Sequence, residues 1–209
     1  MILKPRVIIA ESQTLVAEAL EKLLAADCVI VGRVYDGRAL VDMVRQERPD
    51  VALLDVSLPL LNGLDAGTQA RRIYPPLQLV IVTAIENPEA VAMAFRMGAS
   101  GYVLKRGAAS ELLKAIGEVM QHRTYLTSLI ADDVIDTVMH GYTDGGERLT
   151  PRQREVLQLL AEGKSMKEAG DILHIRARTI AFHKHRMMEQ LHLKNNADLI
   201  RFALKQYVV

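Results

Sequence analysis

The stretch LLDVSLPLLNGLD, residues 53–65, joins a short apolar run to an acid and two turn signals. The run begins at Val51, and four apolar residues bounded by turn residues are typical of a buried parallel strand. Asp55 follows this strand directly, and Pro59 and the pair Asn62-Gly63 then predict a tight turn. The turn is expected to keep Asp55 exposed at the edge of a sheet, where open α/β folds bind their ligands.

Four further apolar runs of the same kind lie on either side of this stretch, at Val7–Ala10, Val29–Val31, Leu79–Val82 and Tyr102–Leu104. The segments between the runs carry apolar residues at helical spacing, as in Leu15, Ala19, Leu20, Leu23 and Leu24. Strands that alternate with helices predict an α/β fold. We expect a five-stranded parallel, doubly wound sheet of flavodoxin-like type, followed by a small all-α domain.

The alternation ends near His122, and this divides the chain. A helical stretch from Leu126 to Met139 leads into HGYTDGGE (140–147), which is the best linker candidate. We therefore predict an α/β domain at 1–122, a helical linker at 123–147 and an all-α domain at 148–209. Residues 1–148 carry a net charge of −4 and residues 149–209 a net charge of +5. A basic tail on an acidic front indicates that the second domain faces a polyanion.

The composition indicates the cellular compartment of the protein. A single cysteine excludes an intrachain disulfide, which suits a reducing compartment. No apolar run approaches the roughly 18–20 residues of a membrane helix, and no basic-then-apolar leader opens the chain. The sequence therefore predicts a cytoplasmic protein without a membrane partner.

The residues at the carboxyl ends of four of the predicted strands are mostly polar. They are Glu11 and Ser12, then Asp55, then Thr83 with the small Ala84, and then Lys105. A lone Asp at a strand end is more often a helix cap or a turn residue, but the joint pattern is harder to explain in that way. Ligands bind at the carboxyl ends of parallel strands in open α/β sheets. The strand ends therefore predict a ligand-binding site.

Three motifs resemble the receiver domain of bacterial two-component response regulators. They are Asp-x-x-Leu-Pro-x-x-Asn-Gly at 55–63, VTA at 82–84 and MGASGYVLK at 97–105, and the match runs over about residues 5–121. The resemblance implies that Asp55 accepts a phosphoryl group from a histidine kinase. It also implies that the phosphoryl-binding and switch residues are Thr83, Ala84, Lys105 and Tyr102. Thr83 would hydrogen-bond the phosphoryl oxygen, Lys105 would neutralise its charge, and Tyr102 would reorient as part of the switch.

The acidic pair departs from the family pattern, which usually has two acids where this chain has Glu11 and Ser12. The resemblance makes Glu11, Asp55 and the backbone carbonyl of Ser57 the metal ligands. Mg²⁺ relies on one or two carboxylates, and Ser12 removes one of them. We expect weakened Mg²⁺ binding and slow or absent phosphorylation of Asp55. The alternative is a receiver that is controlled independently of phosphorylation, by dimerisation, a ligand or a partner protein.

The tail has its own signature in LTPRQREVLQLLAEGKSMKEAGDILHIRARTIAFHKHRMMEQLHL, residues 149–193. Thr150, Pro151 and Gln153 predict a capping box with proline at the first helical position, and Gly163 predicts the end of that helix. Two further helical patterns follow. The segment strongly resembles the LuxR-type helix-turn-helix, and a receiver followed by this domain resembles the NarL/FixJ subfamily. The resemblance implies binding to double-stranded DNA.

The third tail helix is predicted to be the recognition helix. At about 100° per residue, Ile180, Met187 and Leu191 share the inward side. On the opposite side, the base-reading positions of the family correspond to Ala181, Phe182 and His185, of which the first two suit thymine methyls and His185 suits guanine. Core packing is the alternative for Phe182. The residues expected to contact phosphates are Lys167, Arg178, Thr179 and Arg186.

Four expectations remain. Gly170 should cost the second tail helix about 1 kcal/mol relative to alanine. The last helical pattern, NADLIRFALKQYVV, is expected to have more apolar surface than one small domain covers. The resemblance implies that this helix pairs in a homodimer on DNA; the alternative is packing on its own three-helix core, and the two are compatible. An aspartyl phosphatase is disfavoured, because position 57 is Ser57 rather than a second acid, so no enzyme activity is expected. An interaction module without DNA binding is disfavoured by the basic tail.

Overall fold

A parallel sheet organises the first part of the chain in the computed structural model, which describes residues 4–134 and 149–205. The strand order is β2-β1-β3-β4-β5-β6. The strands are β1 (Arg6–Ala10), β2 (Val29–Val34), β3 (Val51–Leu54), β4 (Gln78–Thr83), β5 (Gly101–Leu104) and β6 (Tyr125–Leu126). The intervening helices are α1 (Thr14–Leu24), α2 (Gly37–Glu47), α3 (Gly63–Ile73), α4 (Pro88–Arg96) and α5 (Ala109–Met120).

The burial of the strands explains why the sheet is parallel and covered on both faces. Every residue of β3 and β5 is buried, as are four of the five residues of β1. Right-handed crossovers place α1 and α5 on one face, where Val7, Ile9 and Leu53 pack against them, and leave α2 to α4 for the other face. The predicted α/β fold is thus confirmed. The carboxyl ends of β1, β3, β4 and β5 lie at one edge of this sheet, next to one another.

The sixth strand corrects the prediction of five. Tyr125 and Leu126 pair in parallel with Gly101 and Tyr102, and the amide of Thr127 donates to the carbonyl of Tyr102 at 3.0 Å. Strand β6 lies where the sequence predicted a helical stretch from Leu126, because two residues are too short to show a period. A 3₁₀ turn at Ser128–Ile130 follows, and residues 131–134 are helical. The rest of the predicted linker helix and HGYTDGGE lie outside the described residues.

A side-chain clamp fixes the segment that follows β6. The hydroxyl of Thr127, which is fully buried, donates to Glu111 of α5 at 2.6 Å, and Ser128 donates to the other oxygen of Glu111 at 3.2 Å. The hydrogen bond from Thr127 is the main cause that lowers the pKa of Glu111, so this carboxylate is ionised at neutral pH. The clamp joins the chain beyond β6 to the first turn of α5.

Four helices of the described residues belong to a second compact unit: α6 (Pro151–Ala161), α7 (Met166–Leu173), α8 (Ala177–Gln190) and α9 (Asn196–Lys205). The predicted capping box of Thr150 and Gln153 is present, and Ser165 with Glu168 forms another at the start of α7. Gly163 follows α6 with a φ of +82°, as expected for the glycine that ends a helix. None of the helices within residues 4–134 and 149–205 is both long and apolar enough to span a membrane.

The core of this second unit confirms the predicted inward side of the third tail helix. Ile180 and Met187 are completely buried, and Leu191 is partly buried against the same core. In α9, Leu199 and Ala203 are buried whereas Ile200 is exposed. The last helix therefore packs on its own unit through one side and leaves part of its apolar surface uncovered.

Gly170 corrects an expectation that was based on helix propensity. A Cβ atom at this position would lie 2.7 Å from the backbone carbonyl oxygen of Ile175 and 3.3 Å from the amide nitrogen of Ala177. The amide of Ile175 donates to the carbonyl of Gly170 at 2.9 Å, which brings the turn onto the end of α7. Glycine therefore permits a close approach of backbone to backbone, and this offsets its propensity cost in α7.

Candidate functional sites

Lys105 joins two carboxylates at the carboxyl edge of the sheet. Its Nζ lies 2.7 Å from Oε2 of Glu11, which follows β1, and 2.7 Å from Oδ2 of Asp55, which follows β3. Asp55 is only 5% exposed and Glu11 only 1%. The prediction that the turn keeps Asp55 exposed is therefore wrong, because the Lys105 side chain and the surrounding loops cover the carboxylate. The three side chains that the sequence placed at strand ends do lie together.

One carboxylate oxygen in this cluster is uncommitted. Oε1 of Glu11 accepts from the backbone amide of Gln13 at 2.9 Å, and the other oxygen of Glu11 accepts from Lys105. Oδ1 of Asp55, in contrast, is buried and has no hydrogen-bond partner among the described residues. A buried carboxylate oxygen without a partner is costly. It is therefore the atom at which a cation or an electrophile would find an unused lone pair.

The electrostatics of the cluster favour an ionised lysine. Burial by itself lowers the pKa of Lys105, but the hydrogen bonds and the negative charges of Asp55 and Glu11 outweigh burial and raise that pKa above its usual value. The ammonium group is therefore present at neutral pH. With two carboxylates and one ammonium, the cluster carries a formal charge of −1. A second acid at position 12 would make this charge more negative and would favour a divalent cation more strongly.

The predicted metal site contains two acidic side chains. Within residues 4–134 and 149–205, no group of three or more His, Cys, Asp or Glu side chains is placed to hold a metal ion. Glu11 and Asp55 are two carboxylates at the strand ends, Ser12 is half-buried, and Ser57 is exposed. Mg²⁺ in proteins is held by one or two carboxylates together with waters and substrate phosphates. The two acids thus fit such an ion, with Asp55 Oδ1 as the least committed ligand.

The predicted switch residues line the neighbouring strand ends. Thr83 is buried, and its hydroxyl oxygen is 3.4 Å from the amide nitrogen of Ile85. Ala84 is exposed, which leaves open space where its side chain ends. Tyr102 is fully buried, and its hydroxyl donates to the carbonyl of Ile85 at 2.8 Å. The roles of Thr83, Ala84 and Tyr102 in phosphoryl binding stay predictions.

Two features of this edge had not been identified from the sequence. Arg106 donates to Glu86 at 2.8 Å, so a salt bridge joins the loops that follow β4 and β5. At Gly63, a Cβ atom would lie 1.9 Å from the carbonyl oxygen of Asp55. The start of α3 therefore packs directly on the backbone of Asp55. The Asn-Gly pair predicts a turn, but it does not predict that Gly63 packs against the backbone of Asp55.

The exposed side of α8 contains the predicted base-reading residues. Phe182 is 58% exposed, His185 and Arg186 are exposed, and Ala181 is partly exposed. This excludes core packing as the explanation of Phe182. Among the predicted phosphate contacts, Lys167 of α7 and Arg178 are exposed, whereas Thr179 is half-buried. The structure thus places these side chains on the surface of two adjacent helices, and their contacts with DNA stay predictions.

Two contacts organise the exposed side of α8. The guanidinium of Arg186 lies 5.8 Å from the ring centroid of Phe182, which is a cation–π distance, and Nε2 of His185 lies 3.1 Å from Oε1 of Glu189. His183 is turned toward the unit: burial, and to a smaller degree the charge of Arg152, lowers its pKa. The exposed side of α8 is therefore mixed, with an aromatic ring between charged groups.

Comparisons with known protein families cover most of the chain. Residues 7–117 match the model described as "Response regulator receiver domain", and residues 147–203 match "Bacterial regulatory proteins, luxR family". The transcriptional regulatory protein MctR of Rhizobium johnstonii is 29% identical over 208 residues, which cover 99% of this chain and 96% of that protein. The oxygen regulatory protein NreC of Staphylococcus aureus is 30% identical over 211 residues, covering 96% of this chain and 97% of that protein.

Solved structures give the same result. RcsB of Salmonella enterica serovar Typhimurium, bound to the promoter rprA in the presence of the phosphomimetic BeF₃⁻, superposes with a TM-score of 0.65 at 26% identity and covers 96% of this chain and 98% of that chain. An RcsB–DNA complex superposes with a TM-score of 0.61 at 25% identity over 96% of this chain and 98% of that chain. These matches extend through both units.

Proposed function

Since the chain belongs to the response regulators, with a receiver domain followed by a LuxR-type DNA-binding domain, we propose that it regulates transcription by binding double-stranded DNA through α8. The observation that carries this proposal is the exposed side of α8, which is the second helix of a helix-turn-helix in a tail of net charge +5. A recognition helix of this kind enters the major groove and reads base edges with its early residues. In the proposed assembly two copies bind as a homodimer, with the exposed apolar part of α9 at the contact.

The proposed receiver occupies residues 1–122, and the proposed DNA-binding domain occupies residues 148–209, with 123–147 as the segment between them. The end of α5 at Met120 and the cap at Thr150 support these limits. A regulator of this design needs no enzymatic step on a substrate of its own. Its chemistry is confined to the acceptance of a phosphoryl group at one carboxylate.

Asp55 is the proposed phosphoacceptor. Its support is the buried Oδ1 atom, which has no hydrogen-bond partner within the described residues, beside an ammonium group that can neutralise the incoming charge. Glu11, Asp55 and the backbone carbonyl of Ser57 would hold Mg²⁺, which supplies charge neutralisation for the phosphoryl group. Because Ser12 provides no third carboxylate, binding of this ion is weak and transfer from a histidine kinase or a small phosphodonor is slow.

A second mode of control has support from the same cluster. Lys105 binds one oxygen of Glu11 and one oxygen of Asp55 at 2.7 Å without any further cation, and the amide of Gln13 donates to the other oxygen of Glu11. Such a cluster is stable in the unphosphorylated receiver. Control would then come from dimerisation, a ligand or a partner protein rather than from a phosphoryl group.

DNA binding is tested with the full-length protein and a fluorescent duplex of random sequence. We expect a log affinity that falls linearly with log salt concentration, and a smaller slope for Lys167→Ala, because neutralised phosphates release counterions. Glu155→Gln serves as the control, since Glu155 lies on α6 and is largely buried beside Arg152. The absence of binding at low salt, or an affinity that does not depend on salt, would contradict the proposal.

Phosphorylation is tested by incubation with acetyl phosphate and Mg²⁺, followed by intact-mass measurement. A mass increase of one phosphoryl group that is lost in Asp55→Ala supports the phosphoacceptor role. A protein that binds DNA but stays unmodified after prolonged incubation supports the second mode of control. The two candidate modes thus give opposite results in one assay.

A further inference from the structure

The exposed side of α8 is apolar at its centre. Ala181 and Phe182 are consecutive, and Phe182 keeps 58% of its surface in solvent. Single exposed apolar residues are common on protein surfaces, so exposure alone assigns no role to the ring. What distinguishes this ring is its position, in the second turn of the helix that is proposed to enter the groove, where side chains reach base edges.

The charged groups beside the ring have contacts within α8 in the absence of DNA. Arg186 lies over the ring of Phe182 at 5.8 Å, and His185 pairs with Glu189 at 3.1 Å. Recognition of guanine in the major groove depends on donors directed at its O6 and N7 atoms, most often from Arg or Lys. Glu189 is itself an acceptor and is unsuited to those two acceptor atoms. The ring of Phe182 has no donor of its own and is therefore matched to an apolar group, whereas a contact of His185 with guanine would lie beside it.

The major groove offers one apolar group, the C5-methyl group of thymine. We propose that Phe182, with Ala181 beside it, reads the C5-methyl group of a pyrimidine, so that each half-site has thymine, or the equivalent 5-methylcytosine, opposite the ring. This inference rests on the proposed entry of α8 into the major groove. Arg186 contributes by restricting the ring to one side of the helix, which reduces the rotamer entropy that is lost on binding.

The test removes only the methyl group. The full-length protein first selects bound duplexes from a random library, and the best duplex is resynthesised with each thymine replaced in turn by uracil. Uracil keeps every hydrogen-bonding group of thymine. We expect one position in each half-site at which uracil weakens the affinity about fourfold, the factor that corresponds to about 0.8 kcal/mol for one buried methyl group. At the same position, a cytosine pair should bind more tightly when the cytosine carries a C5-methyl group.

Two variants show whether the ring is responsible. Phe182→Ala should bind the thymine and uracil duplexes equally, and its circular dichroism should be unchanged because the ring is largely in solvent. Lys167→Ala should weaken both duplexes and keep their ratio, since a phosphate contact does not distinguish the bases. An equal affinity of the unmodified protein for thymine and uracil at every position overturns the inference, as does a Phe182→Ala variant that keeps the ratio. Failure to select any duplex would instead overturn the proposed function on which the inference rests.

Discussion

Replacing Lys105 with methionine removes the cation that joins Glu11 to Asp55. The two carboxylate oxygens each lie 2.7 Å from Nζ, so they are at most twice that distance, about 5.4 Å, apart. At an effective dielectric constant of about 20, two unit charges at that separation repel by about 3 kcal/mol. This agrees with the roughly 3–5 kcal/mol that is lost when one partner of a buried ion pair is removed. We expect Lys105→Met to lower the free energy of unfolding of the first unit by about 3 kcal/mol.

Native-state hydrogen exchange is the appropriate measurement, because a chain with two units need not unfold in one step. All of β3 and four of the five residues of β1 are buried, and the slowest amide exchange in these two strands reports the unfolding of the first unit alone. The experiment is run near pH 7.5. Because the pKa of Lys105 is raised, the contribution of the ion pair is complete below the usual lysine pKa of about 10.4 and is lost only as the pH rises through the higher folded value.

Two control variants test the electrostatic origin of this loss. Arg106→Met breaks the neighbouring pair with Glu86, which is exposed, and should cost only about 0–1 kcal/mol. The double variant Lys105→Met/Asp55→Asn removes one of the two repelling charges and should recover most of the lost stability. If Lys105→Met exchanges as slowly as the unmodified protein, or if the double variant is no more stable than the single one, the carboxylates are not held in the proposed electrostatic balance.

Four further outcomes are expected. Ser12→Asp should strengthen Mg²⁺ binding and accelerate labelling of Asp55 by acetyl phosphate; an unmodified protein that already labels equally fast would show that Glu11 compensates. Gly63→Ala should destabilise the first unit by about 1–3 kcal/mol and slow the labelling of Asp55, because its Cβ would lie 1.9 Å from the Asp55 carbonyl oxygen. Gly117→Ala is the control for thermal melts. It should be neutral or stabilising, because no atom lies within 4 Å of the added Cβ. His185→Ala should cost about 1–3 kcal/mol on a selected duplex and relax the preference at one base pair, while an equal loss on all sequences would remove His185 from base reading. Gly170→Ala should lower the melting temperature of the second unit in spite of a propensity gain of about 1 kcal/mol, and a higher melting temperature would show that the turn at Ile175 can move.

The sheet was predictable where burial on both faces leaves a continuous apolar run. Strands β1, β3 and β5 are of this type, and their predicted limits agree with the structure to within one residue. Strand β2 extends to Val34, beyond the predicted Val29–Val31, because Gly32 and Arg33 interrupt the run although the backbone continues to pair. Strand β6 was missed because pairing of two residues depends on the neighbouring strand and leaves no period in the sequence.

The sequence predicts which residues form the candidate site but not which of their atoms are in contact. Strand ends identify Glu11, Asp55 and Lys105, since parallel strands bring their carboxyl ends to one edge. Lys105 contacts both acids, and one oxygen of Asp55 is left without a partner among the described residues. This arrangement depends on distances between side chains that are remote in sequence, so the sequence does not predict it. Gly170 shows the same limit, because helix propensity is a local property whereas the nearby carbonyl of Ile175 comes from the following turn.

The pairing of β6 with β5 makes the backbone amide of Thr127 a reporter of the conformation of the receiver. The amide of Thr127 donates to the carbonyl of Tyr102 at 3.0 Å, and the hydroxyl of Thr127 is held by Glu111 at 2.6 Å. Any displacement of the Tyr102 backbone must therefore stretch or release a bond to the first residues of the chain that leads away from the sheet. The NMR resonance of the Thr127 amide proton should therefore shift when Asp55 is modified and stay unchanged when it is not. This one resonance would report the conformational response of the receiver in the absence of DNA.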